Sequence, residues 1–265
     1  MQTQTALAAP AFSLARFVED VSVVVGNGEL RKVHSLPDGR TRVVFRLLEK
    51  DRRGDVSIAG PRTRAHFKET RDFVHAVVVC LKPGWSTPLF GVPTQALTDR
   101  IVTFEELWGR AGKDLRAELL GTTDIPETLE KISRAIGARV DQAFEPSSAR
   151  LARRAAQMLE EEEVRVTEVA DRLGVTSRHL RRVFTGAIGI GPKEYARAAR
   201  LQRAVRMTSA TNDWGSIAQR AGYYDQAHLI ADFRELVGLT PTALAKRMHG
   251  DDALPIAEKR PFGRY

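Results

Sequence analysis

A unit of some 48 residues occurs twice in the last third of this chain, and a repeat of that kind leaves few folds open. From Val169 the chain reads Val-Ala-Asp-Arg-Leu-Gly-Val-Thr-Ser-Arg-His-Leu-Arg-Arg-Val-Phe, with Gly191-Pro192 shortly after. It then reads Ile217-Ala218-Gln219-Arg220-Ala221-Gly222-Tyr223-Tyr224-Asp225-Gln226-Ala227-His228-Leu229, followed by Phe233 and Thr240-Pro241. Gly174 answers to Gly222, Leu180 to Leu229, Phe184 to Phe233 and Pro192 to Pro241. The offset grows from 48 to 49, which places one extra residue in or just after the second turn. Two short amphipathic segments hinged at a glycine form a helix-turn-helix, and a repeated module of that kind is most often a reader of nucleic acid.

The charge distribution points the same way. The chain has 265 residues, enough for two modest domains, and a formal net charge of +8. Between Val164 and Met248 there are 14 Lys/Arg and 7 Asp/Glu, so +7 of the +8 lies in the repeated region. A basic segment by itself is an ordinary solvated surface; where it coincides with such a repeat it suits a polyanionic partner.

The one cysteine, Cys80, cannot form an internal disulfide and sits in the apolar run Val77-Val78-Val79-Cys80-Leu81, which suits a small buried hydrophobe. It also excludes a multi-cysteine zinc cluster. No stretch reaches the roughly 20 apolar residues of a membrane span, and Met1–Pro10 lacks the pattern of a secretory signal, so a cytoplasmic protein without a membrane partner is expected.

The front of the chain reads as short strands. Val21–Val25, Thr41–Leu47, Val56–Ala59 and Phe73–Leu81 are rich in β-branched residues and bounded by Gly26-Asn27-Gly28, Pro37-Asp38-Gly39, Gly60-Pro61 and Pro83-Gly84. This is the pattern of an antiparallel sheet or barrel. Near Thr98 the period changes to about 3.6: Phe104, Leu107, Trp108, Ala111, Leu115 and Leu119 predict one helix ending before Gly121. A second helix is predicted from Asp124-Ile125-Pro126-Glu127, with Asp124 as cap, and a third over Pro146–Glu162. The run Glu160-Glu161-Glu162-Glu163 reads as a solvated helix end and inter-helix joint. The resulting expectation is an α+β protein: a β-rich sensing or regulatory domain over 1–97, a helical connector or dimerisation region over 98–147, an all-α double helix-turn-helix domain over 148–248, and a polar tail over 249–265.

Residues 148–248 resemble the DNA-binding domain of the AraC/XylS family of bacterial transcription regulators. The resemblance rests on both repeat units, the Gly191-Pro192 pair, Gly238-Leu239-Thr240-Pro241, and above all Gly222–Leu229 with Phe233, all in the family's order. The front portion is similar to a less common N-terminal type of such regulators, through Leu36-Pro37-Asp38-Gly39, Gly60-Pro61-Arg62-Thr63, Lys82-Pro83-Gly84 and Leu97-Thr98-Asp99. The resemblance implies double-stranded DNA and RNA polymerase as partners, a nucleoid-associated location, and no cofactor. Other members bind a small effector in a cupin-like barrel, so a related fold, an effector and a homodimer are expectations by analogy only.

Within the first unit, Ser177 or Thr176 can cap a helix whose inner face is Leu180, Val183 and Phe184. Arg178, Arg181 and Arg182 share the outer face, which the resemblance turns toward DNA, and Arg can pair bidentately with guanine. Arg178 and Arg182 are the first candidates for base edges and Arg181, at the side, the next, with contact to phosphates only as the plainer role for some of them; His179 suits either a phosphate or packing. In the second unit Gln226 can pair with adenine, and Tyr224 or His228 can reach phosphate. Ala231, where many relatives carry Arg, and the acidic Asp232 predict a helix that reads fewer bases. The segment Pro192–Met207 spans about 24 Å as a helix, enough to set two readers roughly one DNA turn apart. Arg197, Arg200 and Arg203 along it are candidates for the DNA backbone, with Arg200 the first choice.

Two other readings compete. A metal-dependent cupin-type enzyme fused to a DNA-binding domain would draw on His34, His66, His75 and Glu49, but their spacing is irregular and lacks a His-x-His pair. A DNA-repair alkyl-transfer protein would need a reactive or zinc-bound cysteine cluster, which a lone Cys80 does not supply. No Gly-x-Ser-x-Gly, Walker or dinucleotide motif is present, so no catalytic or metal residue is assigned and a non-enzyme is expected. If the front domain holds an effector, Phe45, Phe73 and Trp85 are candidate lining residues; filling a closed core is their plainer role.

Overall fold

The computed structural model describes residues 6–7, 15–26, 31–49, 53–70, 73–122, 124–142, 145–161, 164–208 and 213–248; the tail 249–265 and the pair Glu162-Glu163 lie outside them. The front strands are β1 (Ala6–Leu7), β2 (Val18–Val25), β3 (Arg31–Ser35), β4 (Arg42–Glu49), β5 (Arg53–Ala59), β6 (His66–Thr70), β7 (His75–Leu81) and β8 (Ile101–Thr103). Six of them form one antiparallel sheet in the order β1-β2-β7-β4-β5-β8, while β3 and β6 pair separately as a two-stranded sheet. Among the described residues the large sheet is open, ending at β1 and β8, and is not closed as a barrel. Its central strand β7 is buried along nearly its whole length, which explains why its sequence runs apolar instead of alternating.

One face of the sheet carries Val21, Val23, Phe45, Leu47, Val56, Ile58, Val77 and Val79. Against it pack α1 (Ser86–Phe90), α2 (Phe104–Trp108), α3 (Arg110–Leu120) and α4 (Ile125–Gln142), through Phe90, Phe104, Leu119, Ile132 and Ile136. The helices after Thr98 thus complete the core of the β-rich half. The one helix expected over 104–119 is two, broken at Gly109, whose φ of 57° and ψ of −128° is a conformation glycine alone adopts easily. Ala111 is exposed and leaves the expected stripe, while Trp108 stacks edge-on against Phe104 at 4.6 Å. Asp124 caps α4 as expected, accepting from the Glu127 amide at 3.0 Å.

The helical half comprises α5 (Ser147–Glu161), α6 (Val166–Arg172), α7 (Ser177–Ile188), α8 (Pro192–Met207), α9 (Trp214–Ala221), α10 (Gln226–Val237) and α11 (Pro241–Met248). It holds two cores. The first joins α5, α6 and α7 to the start of α8 through Leu159, Val169, Leu180, Phe184 and Tyr195. The second joins the end of α8 to α9, α10 and α11 through Leu201, Ile217, Leu229, Phe233 and Leu244.

The front domain enters both cores. Leu36, only 2% exposed, is a full member of the second core, and Ala65 and Phe67 pack against it. Arg247 lies over the Phe67 ring at 4.4 Å. At the first core, Gly39 (φ 66°) faces the Tyr195 ring, where a Cβ would lie 2.5 Å from two ring carbons. A charge cluster bolts the halves together there. Arg40 binds Glu19 and, at 3.0 Å, Glu160, while the Tyr195 hydroxyl donates to the same Glu160. Glu160 is therefore a half-buried residue of the contact between the halves, not a freely solvated helix end. Burial opposes the Arg40 charge, but the carboxylates of Glu19 and Glu160 hold its pKa well above the usual value. Burial, reinforced by Glu160, keeps the Tyr195 phenol protonated.

Candidate nucleic-acid interface

The two reader helices can be registered against each other from their caps. Thr176 caps α7, accepting from the His179 amide at 3.2 Å, and Asp225 caps α10, accepting from the His228 amide at 2.7 Å. Both helices are 12 residues long, and both end at a left-handed glycine, Gly189 (φ 93°) and Gly238 (φ 75°). An offset of 49 therefore holds from cap to cap. Before the turn the offset is 48: the Val175 amide donates to the Ala170 carbonyl at 3.0 Å, as the Tyr223 amide does to Ala218 at 2.9 Å. The extra residue of the second unit is Tyr224. It is 93% exposed and directly precedes the cap, so it projects beside the start of the reader helix.

Along α7, Leu180, Phe184, Ala187 and Ile188 are buried, whereas Arg178, Arg181 and Arg182 are exposed. None of the three is held by a carboxylate among the described residues, so all can extend toward an anion. Arg182 and His179 are linked at 3.3 Å between Nη2 and Nδ1, which sets the half-buried His179 beside the arginine. Ser177 is the first helical residue and half-buried, with the capping role taken by Thr176.

Along α10, Leu229, Asp232, Phe233, Leu236 and Val237 are buried, and Gln226, Ala227, His228, Ala231, Arg234 and Glu235 are exposed. Arg178 and Arg182 thus have Ala227 and Ala231 as their counterparts. His228 lies edge-on to Tyr223 at 5.2 Å with its amide in the cap, which favours a position beside the turn. The residue pattern does not single out Arg234, yet it stands three residues after Ala231 and seven after Ala227, on the same exposed face. That spacing is the signal that identifies it.

The connecting helix α8 has the span expected of it, and its arginines are engaged within the protein. Asp232 is 5% exposed and faces inward, where it binds Arg197 at 2.8 Å. Arg197 also reaches Glu235 at 2.6 Å, and these hydrogen bonds, Glu235 first, raise its pKa. Arg200 lies 3.8 Å from Asp232 and over the Tyr223 ring at 5.4 Å, with its Nε buried. Arg203 donates to the carbonyls of Ala221 and Glu160. Arg197, Arg200 and Arg203, the candidates for the DNA backbone, hold α8 to its neighbours within the protein, and Asp232 is the counter-charge of the first two.

The front domain touches the far ends of both readers. The Thr94 hydroxyl donates to the Ala187 carbonyl at 2.8 Å and the Thr98 hydroxyl to the Gly189 carbonyl at 2.7 Å, both at the C-terminal end of α7. The Ala65 amide donates to the Leu236 carbonyl at 2.7 Å, at the C-terminal end of α10. These bonds satisfy carbonyls that helix ends leave unpaired, and the capped N-terminal halves stay open.

The candidate effector residues are not brought together. Phe45 and Trp85 are buried in the main front core, whereas Phe73 packs with Val24 and Ala76 in a separate small cluster. The candidate metal ligands are likewise dispersed. His34 on β3 lies against Phe67 at 5.3 Å, His66 is on β6, and His75 on β7 lies against Phe45 at 5.7 Å. The side chain of Glu49 falls outside the described residues. Cys80 is 2% exposed, and burial pushes its thiol pKa up to about 12, which suppresses the thiolate that chemistry would require.

Residues 169–247 match the family model of a helix-turn-helix domain, and residues 7–103 match that of a domain of unknown function (DUF6597). No curated protein matches the chain. Among solved structures, ToxT from Vibrio cholerae O395 is similar with a TM-score of 0.41 at 8% identity, over 94% of this chain and 95% of that one. Wild-type ToxT from strain SCE256 with unsaturated fatty acid bound gives 0.40 at 10% identity, over 92% and 96%. Two helix-turn-helix units on one chain, joined by α8 and each with an open capped reader, define a DNA-binding transcription regulator. The helix-turn-helix domain is of the AraC type, and it follows a front portion that matches a domain of unknown function. No helix among the described residues is long and apolar enough to cross a membrane.

Proposed function

We propose that the chain reads two successive major-groove segments of double-stranded DNA, α7 entering one and α10 the next, and that the front domain modulates this reading. The observation that carries the proposal is the shared register of two capped, 12-residue helices with exposed outer faces, which the front domain holds by hydrogen bonds at their far ends. Arg178 and Arg182 read base edges, Arg181 and Tyr224 hold phosphates at the flanks, and Gln226 meets an adenine. The protein acts by binding, with no catalytic step, and recruits or blocks RNA polymerase from the bound site. An effector or a second copy acting on the front domain shifts the protein by its differential affinity for two arrangements, typically about 1–3 kcal/mol.

The test is titration of the full chain against selected duplexes at several salt concentrations. A log–log slope of about 0.9 per neutralised phosphate is expected, together with preference for one sequence. Affinity that ignores both salt and sequence would remove the reading. Stoichiometric iron, manganese or zinc in the purified protein would reopen the enzymatic alternative.

A further inference from the structure

The two readers are the same helix in register but not in chemistry. We infer that α10 recognises thymine, through the methyl groups of Ala227 and Ala231 against thymine C5-methyls, so that the DNA site is asymmetric, with a guanine-containing segment under α7 and a thymine-containing segment under α10. This inference rests on the proposed reading of DNA by both helices.

Thr176 and Asp225 close equivalent first turns, and Gly189 and Gly238 close equivalent last turns, so positions between them correspond one to one. Arg178 and Arg182, four residues apart on the open face of α7, correspond to Ala227 and Ala231 on the open face of α10. Both alanines are exposed. An alanine pair offers a base edge neither donor nor acceptor, only two methyl groups on a helix that can approach closely for want of longer side chains. The major-groove edge of DNA has one apolar feature, the thymine C5-methyl, and alanine is a residue that contacts it. The flanking residues agree with an A·T segment. Gln226, at the first turn of the same helix, has the amide that pairs with adenine N6 and N7. Arg234, one turn beyond Ala231, extends past the alanines toward the backbone. Asp232, which would disfavour any DNA contact from this helix, is turned inward and bound by Arg197.

The experiment selects duplexes for the full chain from a random pool, then replaces thymidine by deoxyuridine, which removes only the methyl group. Two blocks about one helical turn apart are expected, one losing its guanine preference in Arg182→Ala. Deoxyuridine in the other block should weaken binding about three- to fivefold per methyl, the worth of one buried methyl-sized group. Deoxyuridine placed in the guanine block should leave affinity unchanged. Ala231→Arg, a change at an exposed helical position, should convert a thymine preference into a guanine preference. Recovery of the guanine block beside a second block indifferent to deoxyuridine would overturn the thymine assignment alone. Recovery of no block at all would overturn the reading of DNA on which it rests.

Discussion

Arg178 and Arg182 stand exposed on α7, and Arg200 does not, so three arginines of similar appearance in the sequence have different consequences when removed. Arg178→Ala and Arg182→Ala are each expected to relax preference at one base pair by about 1–3 kcal/mol, measured by competition among single-base variants of a selected duplex. Arg200→Ala should lower the melting temperature and leave the salt slope of binding unchanged, because its partners are Asp232 and Tyr223. His75 makes a prediction of another kind. Burial holds its pKa below the ordinary 6.5, with Asp124 offsetting part of the shift, so the ring is neutral in the folded protein. The unfolded chain takes up that proton near 6.5 and the folded chain only at lower pH. The stability this group contributes is therefore complete above 6.5 and is lost as pH falls toward the depressed value. Melting temperature followed against pH should decline below 6.5, and His75→Leu should remove that component of the slope.

Among the elements, α8 is held to α10 by Arg197, which supplies the main partner of a nearly buried Asp232. Arg197→Ala is expected to destabilise the second unit by about 3 kcal/mol, read by chemical denaturation, since a carboxylate is left with only a distant Arg200. Replacing both Arg197 and Asp232 by apolar residues should recover much of that loss. The span of α8 and the start of α10 are legible in the sequence, because Pro192 at a first turn and Asp225 before an apolar stripe are local signals. The inward turn of Asp232 is not, since its partner lies 35 residues away and hydrophobic spacing says nothing about a buried charge. The break at Gly109 is hidden for the opposite reason: Phe104, Trp108 and Leu115 keep helical spacing across a bend that one backbone angle creates. The same limit applies to Leu36, whose apolar character shows that it is buried but not that it is buried in the second reader unit.

For the whole molecule, the two halves share their cores, which alters what an isolated helical half should do. A fragment of residues 148–248 keeps both capped readers and should select the same bases as the full chain. It loses Leu36, Ala65 and Phe67 from the second core and Arg40 from Glu160, so it should melt at lower temperature. A fragment as stable as the full chain would show that these contacts contribute nothing to the fold of the readers. Thr94, Thr98 and Ala65 grip the C-terminal ends of α7 and α10, away from the starts proposed to enter DNA. That grip makes the front domain a ruler. Each base pair inserted between the two halves of a site moves the second half along the duplex and rotates it about the axis. Insertion of about five base pairs, half a turn, would present it on the wrong side. A chain whose readers are clamped at their tails cannot follow that rotation, so the full protein should demand a fixed phase between its two half-sites, and the fragment freed of the ruler should accept neighbouring spacings.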